Sequence, residues 1–148
     1  MVKVPNNKIQ PRKKKKKTRG QLVKEYDLLF SRNLRLSEAN DRWMCKCYTC
    51  DSVDHRKKMQ CGHYITRSVY GLRWSLDNVR VQCYRCNVAL SGNYIEYTLR
   101  MIAEVGMDQV ERLRAKKNEI VKIETRRIEE EIERLKSENK ILEKKLEK

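Results

Sequence analysis

The sequence has no apolar run approaching the roughly 20 residues that a bilayer span needs, and its N-terminus lacks the apolar core of a signal peptide. The expectation is a soluble, cytoplasmic protein with no membrane partner. The first 20 residues contain no acidic and no aromatic side chain, but hold two prolines and the run Lys13, Lys14, Lys15, Lys16, Lys17. Such a segment cannot bury enough apolar surface to offset its chain entropy, so 1–20 is predicted to be a disordered basic arm.

What is present is positive charge and cysteine. The formal net charge is +15, and nine basic residues sit in the first 20 positions. A polyanionic partner is expected, nucleic acid ahead of a membrane surface. The alternative for the lysine run is a solubilising tail or a localisation signal. In a reducing cytosol the six cysteines are read as metal ligands before disulfides.

Composition divides the rest of the chain into three. Residues 21–44 carry apolar positions at Leu22, Tyr26 and Leu29, which predict a helix, with Ser37 as a cap for a following turn. Residues 45–106 are rich in cysteine, glycine and β-branched or aromatic residues, with strands expected around Met59–Ile65 and Val79–Cys83. A helix from Tyr94, with Ile95, Leu99 and Ile102 on one face, should stop at Gly106. Residues 107–148 read as one long charged helix. Ile128, Ile132, Leu135, Asn139, Leu142 and Leu146 recur at heptad-like spacing within it, Asn139 at an a position. A buried Asn there favours a two-stranded coil, hence a homodimer; the alternative is a helix folding back on its own domain.

Cys47-Tyr-Thr-Cys50 and Cys83-Tyr-Arg-Cys86 form two C-x-x-C knuckles. Together they can complete a closed tetrahedral thiolate site of the kind structural zinc prefers. Cys45 competes with Cys47 as a ligand, and Cys61 is expected to be a small buried side chain. Between and just after the knuckles lie His63, Asn78 and Asn87. They supply a neutral imidazole able to take a proton from water, an amide to orient it, and an oxygen donor suited to Mg²⁺. Phosphodiester hydrolysis needs an activated water and neutralisation of the departing oxygen, which one base and one divalent cation provide. The bland readings are a hydrogen-bonded histidine, a turn asparagine at Asn78 and a helix cap at Asn87. Asp54-His55 is a rival acid–histidine pair, ranked lower because no strand pattern surrounds it.

The order C-x-x-C, G-H-Y-I, D-N-V, Q-C-x-x-C-N, S-G-N resembles the HNH or His-Me finger nucleases. "CGHYITRSVYGLRW", "NVRVQCYRCN" and "SGNYIEY" resemble the NinG/Rap recombination proteins of lambdoid phages, and the hairpin between two knuckles is similar to phage endonuclease VII. The resemblance covers about Cys47–Gly106. It implies an α+β fold, a zinc-stapled ββα-metal nuclease core, and a metal-dependent endonuclease acting on branched double-stranded DNA, a Holliday junction or D-loop. It further implies His63 as general base, Asn78 as the residue orienting its ring or the hairpin, and Asn87 as ligand to catalytic Mg²⁺ or Mn²⁺. Many such nucleases place an acidic ligand just before the histidine; here Gly62 stands there, and Gln60 is the nearest oxygen donor. Arg67, Arg73, Arg80 and Arg85 are candidate phosphate contacts, with the lysine arm adding salt-sensitive affinity.

Two other classes compete with the enzyme. One is a non-catalytic zinc-containing DNA-binding protein dimerised by its terminal helix, although Glu119 and Glu124 interrupt the basic stretch before the heptads. The other is a zinc-scaffolded interaction protein, which leaves His63, Asn78 and Asn87 without a role.

Overall fold

Thr18 and Gln21 start the first helix by exchanging hydrogen bonds: the Thr18 hydroxyl accepts the Gln21 amide, and the Gln21 side chain accepts the Thr18 amide. In the computed structural model, which describes residues 16–148, this helix, α1, spans Arg19–Ser37. The expected arm thus gives way to helix at Arg19, two residues early, because a capping box precedes it. Lys13, Lys14 and Lys15 lie outside the described residues. Ser37 caps no following turn; its hydroxyl donates back to the Leu34 carbonyl at 2.9 Å and closes α1 instead.

Two antiparallel hairpins follow. Strands β1 (Met44–Lys46) and β2 (Val53–His55) pair Met44 with His55 and Lys46 with Val53, and the first C-x-x-C knuckle fills their turn. Asp54-His55 therefore does lie on a strand, contrary to the sequence reading: Val53 has a partner in Lys46 that local pattern does not reveal. Strands β3 (Gln60–His63) and β4 (Val79–Gln82) pair Gln60 with Gln82 and His63 with Val79. Their connection holds the short helix α2 (Tyr70–Arg73) and a 3-10 turn at Leu76–Asn78. After β4 the chain makes a wide helical turn over Arg85–Ala89, then α3 (Tyr94–Val105). Gly106, at φ 85°, ends α3 where the sequence predicted a stop.

The tail is not one helix. Helix α4 (Met107–Ala115) buries Val110 and Leu113, but Lys116 and Lys117 occupy the next positions on that face, so nothing apolar carries the helix onward. An extended stretch leads to α5 (Thr125–Leu146), whose Ile128, Ile132, Leu135 and Asn139 are buried against α1. Arg19 donates to the Ile123 carbonyl at the start of the pair, Lys136 meets Glu25 midway, and Arg32 meets Glu143 at the end, so the helices run parallel. The heptad stripe thus finds its mate inside the chain. Asn139 donates to the Leu29 carbonyl at 3.1 Å and accepts from Asn33 at 3.0 Å, satisfying within one chain the amide that suggested a dimer. Ile128, Ile132, Leu135 and Asn139 of that stripe are covered, while Leu142 and Leu146 are half-buried, so the fold-back alternative accounts for the buried asparagine within one chain.

The molecule is α+β with two apolar clusters. One joins α1 and α5 to Val79 and Val81 of β4; the other packs Tyr97 and Met101 of α3 and Val110 and Leu113 of α4 under Tyr64, Ile65 and Leu72. Among the described residues no helix is long and apolar enough to cross a membrane. Replacing Asn139 with Ala removes both of these hydrogen bonds from the seam between α1 and α5. It should cost about 1–3 kcal/mol in urea denaturation, and an unchanged midpoint would contradict the seam.

Candidate functional site and metal centre

The two knuckles converge. The Sγ atoms of Cys47, Cys50, Cys83 and Cys86 all lie within 4.8 Å of one another, with Cys50 and Cys83 at 3.7 Å. A tetrahedron with metal–sulfur bonds of about 2.3 Å has sulfur–sulfur edges of about 3.8 Å, so the residues fit zinc. The Cys83 amide donates to the Cys47 sulfur at 3.3 Å and the Cys86 amide to the Cys83 sulfur at 3.4 Å. Burial alone would raise the Cys47 thiol. The Cys83 amide and the amide and hydroxyl of Thr49 overcome this and hold it at about 6, a thiolate at neutral pH. Cys45 is not a competitor: its thiol is buried and donates to the Arg35 carbonyl, away from the cluster. Cys61 is half-buried rather than buried, and desolvation pushes its thiol up to about 12.

Strand β3 delivers His63 to an open cleft of about 580 Å³, lined also by Asp27, Arg67, Arg73, Trp74, Asn87 and Tyr94. His63 Nε2 lies 2.8 Å from the Arg73 carbonyl, which can only accept, so Nε2 carries the proton and Nδ1 the lone pair. Burial lowers the His63 pKa below its usual value. The Arg73 carbonyl, the Asp27 charge and the Cys61 carbonyl pull the other way without overcoming it. The imidazole is neutral at pH 7, the state a proton acceptor requires.

Asn78 is fully buried and does not touch the ring. Its Oδ1 accepts the Ile65 amide at 2.7 Å, and its Nδ2 donates to the Ile65 and Leu72 carbonyls at 2.9 and 3.1 Å. It clamps the loop that leaves β3, and so holds the hairpin rather than the histidine. Asn87 and Gln60 come together: Asn87 Nδ2 donates to Gln60 Oε1 at 2.7 Å. Asn87 directly follows a knuckle cysteine, and its amide donates to the Cys83 carbonyl at 3.0 Å, so the cluster fixes its place at the cleft.

Gly62 has a steric reason for standing before His63. A Cβ there would lie 2.0 Å from Gln82 Oε1. The Gln82 side chain is fully buried and cannot swing aside easily, since its Nε2 donates to Thr49 Oγ1 and to the Gly92 carbonyl. The space an acidic ligand would take is filled by an amide.

The arginines divide. Arg67 is exposed at the cleft and Arg85 is exposed on the turn after β4. Arg73 lines the cleft, but its guanidinium is engaged by Asp27 at 2.6 Å. Arg80 lies outside it, lining a second cavity and paired with Glu104 at 3.0 Å. Its side chain cannot serve as the phosphate contact expected at the centre without breaking that pair. Lys17 is paired with Glu25, and Asp54 and His55 are not among the residues lining the cleft. Asp27, Trp74 and Tyr94 were not singled out from the sequence. Asp27 and Trp74 become recognisable only when α1 packs across the hairpin, and Tyr94 only when its ring stacks on Tyr64 at 5.0 Å.

A family model described as NinG, Bacteriophage Lambda NinG protein, matches residues 2–147. Among curated proteins, the chain is 29% identical over 73 residues to "Protein ninG" of Escherichia phage lambda, covering 49% of this chain and 35% of that protein. The alignment thus spans about a third of the lambda protein's length. No solved structure matches.

Zinc analysis of purified protein should give one equivalent per chain, lost in Cys86→Ser together with a fall in thermal stability; full stability in a zinc-free preparation would refute the structural role. Gly62→Ala should destabilise by about 1–3 kcal/mol through overpacking against Gln82, read from denaturant midpoints, while Gly62→Ala with Gln82→Ala should recover part of the loss.

Proposed function

The chain belongs to the NinG family of bacteriophage lambda, and from that premise we propose that it is a metal-dependent, structure-specific endonuclease cutting branched recombination intermediates, a Holliday junction or D-loop. The observation that carries the reading is the meeting of His63 and Asn87 in one cleft, the first with a fixed tautomer and a depressed pKa, the second anchored by the four-cysteine cluster.

His63 Nδ1 takes the proton of the attacking water, and the Arg73 carbonyl holds the ring still while it does so. Asn87 and Gln60 are neutral oxygen donors, and they suit a hard divalent ion whose remaining ligands are phosphate and water. A bound Mg²⁺ or Mn²⁺ would supply neutralisation of charge on the scissile phosphate and the leaving 3′ oxygen. The products are then a 5′-phosphate and a 3′-hydroxyl. Arg67, exposed at the cleft, and Arg85, exposed on the turn after β4, would contact flanking phosphates. Two incisions in a four-way junction require two centres, and a second copy would associate through a surface other than the α5 stripe.

The test is cleavage of a labelled four-way junction against matched linear duplex with Mg²⁺ or Mn²⁺. Wild type should cut the junction preferentially, and His63→Ala should lose about 10²–10⁴-fold in rate. Because the neutral imidazole is the active form, the rate should fall as pH drops through the lowered His63 pKa, below 6.5, and be level around neutrality. Tight junction binding without cutting, by a zinc-loaded wild type, would replace the enzyme with a binding module.

A further inference from the structure

One carboxylate in the cleft has no part in the reaction above. Asp27, on α1, accepts Arg73 Nε at 2.9 Å and Nη2 at 2.6 Å, and also the Trp74 indole N–H at 2.9 Å. The two residues it binds are consecutive. The peptide joining them contributes the carbonyl, that of Arg73, which accepts the His63 Nε2–H at 2.8 Å. Further contacts stiffen the same peptide: Arg73 Nη1 donates to the Arg67 carbonyl at 3.1 Å, and the Trp74 ring stacks on Tyr26 of α1 with centroids 4.1 Å apart.

We propose that Asp27 is a positioning residue of the nuclease centre: by gripping both side chains of the Arg73–Trp74 pair, it fixes the carbonyl that holds His63 with its lone pair on Nδ1. This gives α1, which precedes the C-x-x-C and histidine motifs of Cys47–Gly106, a share in the site, and it rests on the reading of His63 as the base. The geometry favours positioning over cation ligation. Both Asp27 oxygens are already taken by three N–H donors, two of them from a guanidinium whose side chain is only 14% exposed. A cation would have to displace that pair. Arg73 in turn serves through its carbonyl, with its side chain as the handle.

The experiment compares wild type with Asp27→Asn by ¹⁵N spectroscopy of labelled histidine, with His55 as the internal reference, alongside junction cleavage across pH. Wild-type His63 should show the Nε2–H tautomer. Asp27→Asn keeps size and one acceptor oxygen but loses the fork, and should give a tautomer mixture, a kcat lower by about 10–100-fold, and unchanged junction affinity. Its rate–pH profile should also shift, because the Asp27 charge acts on His63. An unchanged His63 spectrum in a folded Asp27→Asn protein overturns the proposal, whatever happens to the rate; loss of Mg²⁺ dependence with that spectrum intact would make Asp27 a ligand. If Asp27→Asn fails to fold, Arg73→Lys, which keeps the charge but not the fork, must show the same tautomer mixture, and a wild-type spectrum there overturns the proposal. The tautomer is read without turnover, so a wild type that cuts no DNA refutes the nuclease reading and leaves this result standing on its own.

Discussion

Four thiols held within 4.8 Å of one another cannot all ionise unless a cation lies between them, because like charges at that spacing repel. The arrangement of Cys47, Cys50, Cys83 and Cys86 could hold zinc, and much of the molecule is built on that arrangement. Thr49, inside the first knuckle, accepts a hydrogen bond from Gln82, the residue before the second. Gln82 lies over Gly62, so the cluster sets how closely β3 approaches β4 and where His63 emerges. On the other side, Asn87 follows Cys86 and is tied back to Cys83. A single ion bound there would hold the two halves of the cleft, although none of the four cysteines lines it.

The second frame is the parallel pair of α1 and α5. Parallel helices in one chain need a long connection, and here the whole region carrying the four-cysteine cluster supplies it. Arg19 at the first end, the Asn33–Asn139 pair, and Arg32 with Glu143 at the last end fix the register. The buried face, Ile128, Ile132 and Leu135 against Leu22, Tyr26 and Phe30, carries the energy, at about 1.5–3 kcal/mol for each large aliphatic side chain fully buried. The pair sets the rotation of α1, and that rotation brings Asp27 to the cleft while Tyr26 backs Trp74.

Local features were legible in the sequence and pairings were not. The two knuckles, the strands around His63 and Val79, and the stop at Gly106 follow from spacing and residue type within a few positions. The α5 stripe was equally visible, but periodicity tells which face is buried and not what buries it, so a second chain and α1 fitted the same pattern. Strand Val53–His55 was missed because three residues carry no usable alternation. The break after α4 depends on Leu113 having an inward position with only lysines to follow it, a fact of tertiary packing. At the site, His63, Gln60 and Asn87 could be nominated from chemistry and motif order. The fate of Arg73 and Arg80 could not, since each is matched to a carboxylate, Asp27 or Glu104, that is remote in sequence.

Those pairings bear on how the proposed activity would be divided over the molecule. Arg56, Arg73, Arg80, Arg100 and Arg114 each face a carboxylate, so most guanidinium charge on the folded core is committed to structure. The first 20 residues, with nine basic side chains and no acidic one, carry the largest uncompensated block of charge in the sequence. Counterion release scales with the number of cations that engage phosphates, whatever the nucleic acid's shape. On the nuclease reading, affinity would then come chiefly from the N-terminal block, with Arg67 and Arg85 adding to it near the centre. The choice of which phosphodiester meets His63 would fall to the rigid cleft. Affinity of the first kind is diffuse and sensitive to salt. Choice of the second kind would depend on shape and on the few fixed atoms around Arg73, Asn78 and Asn87, each held by a strand, a hairpin loop or a knuckle.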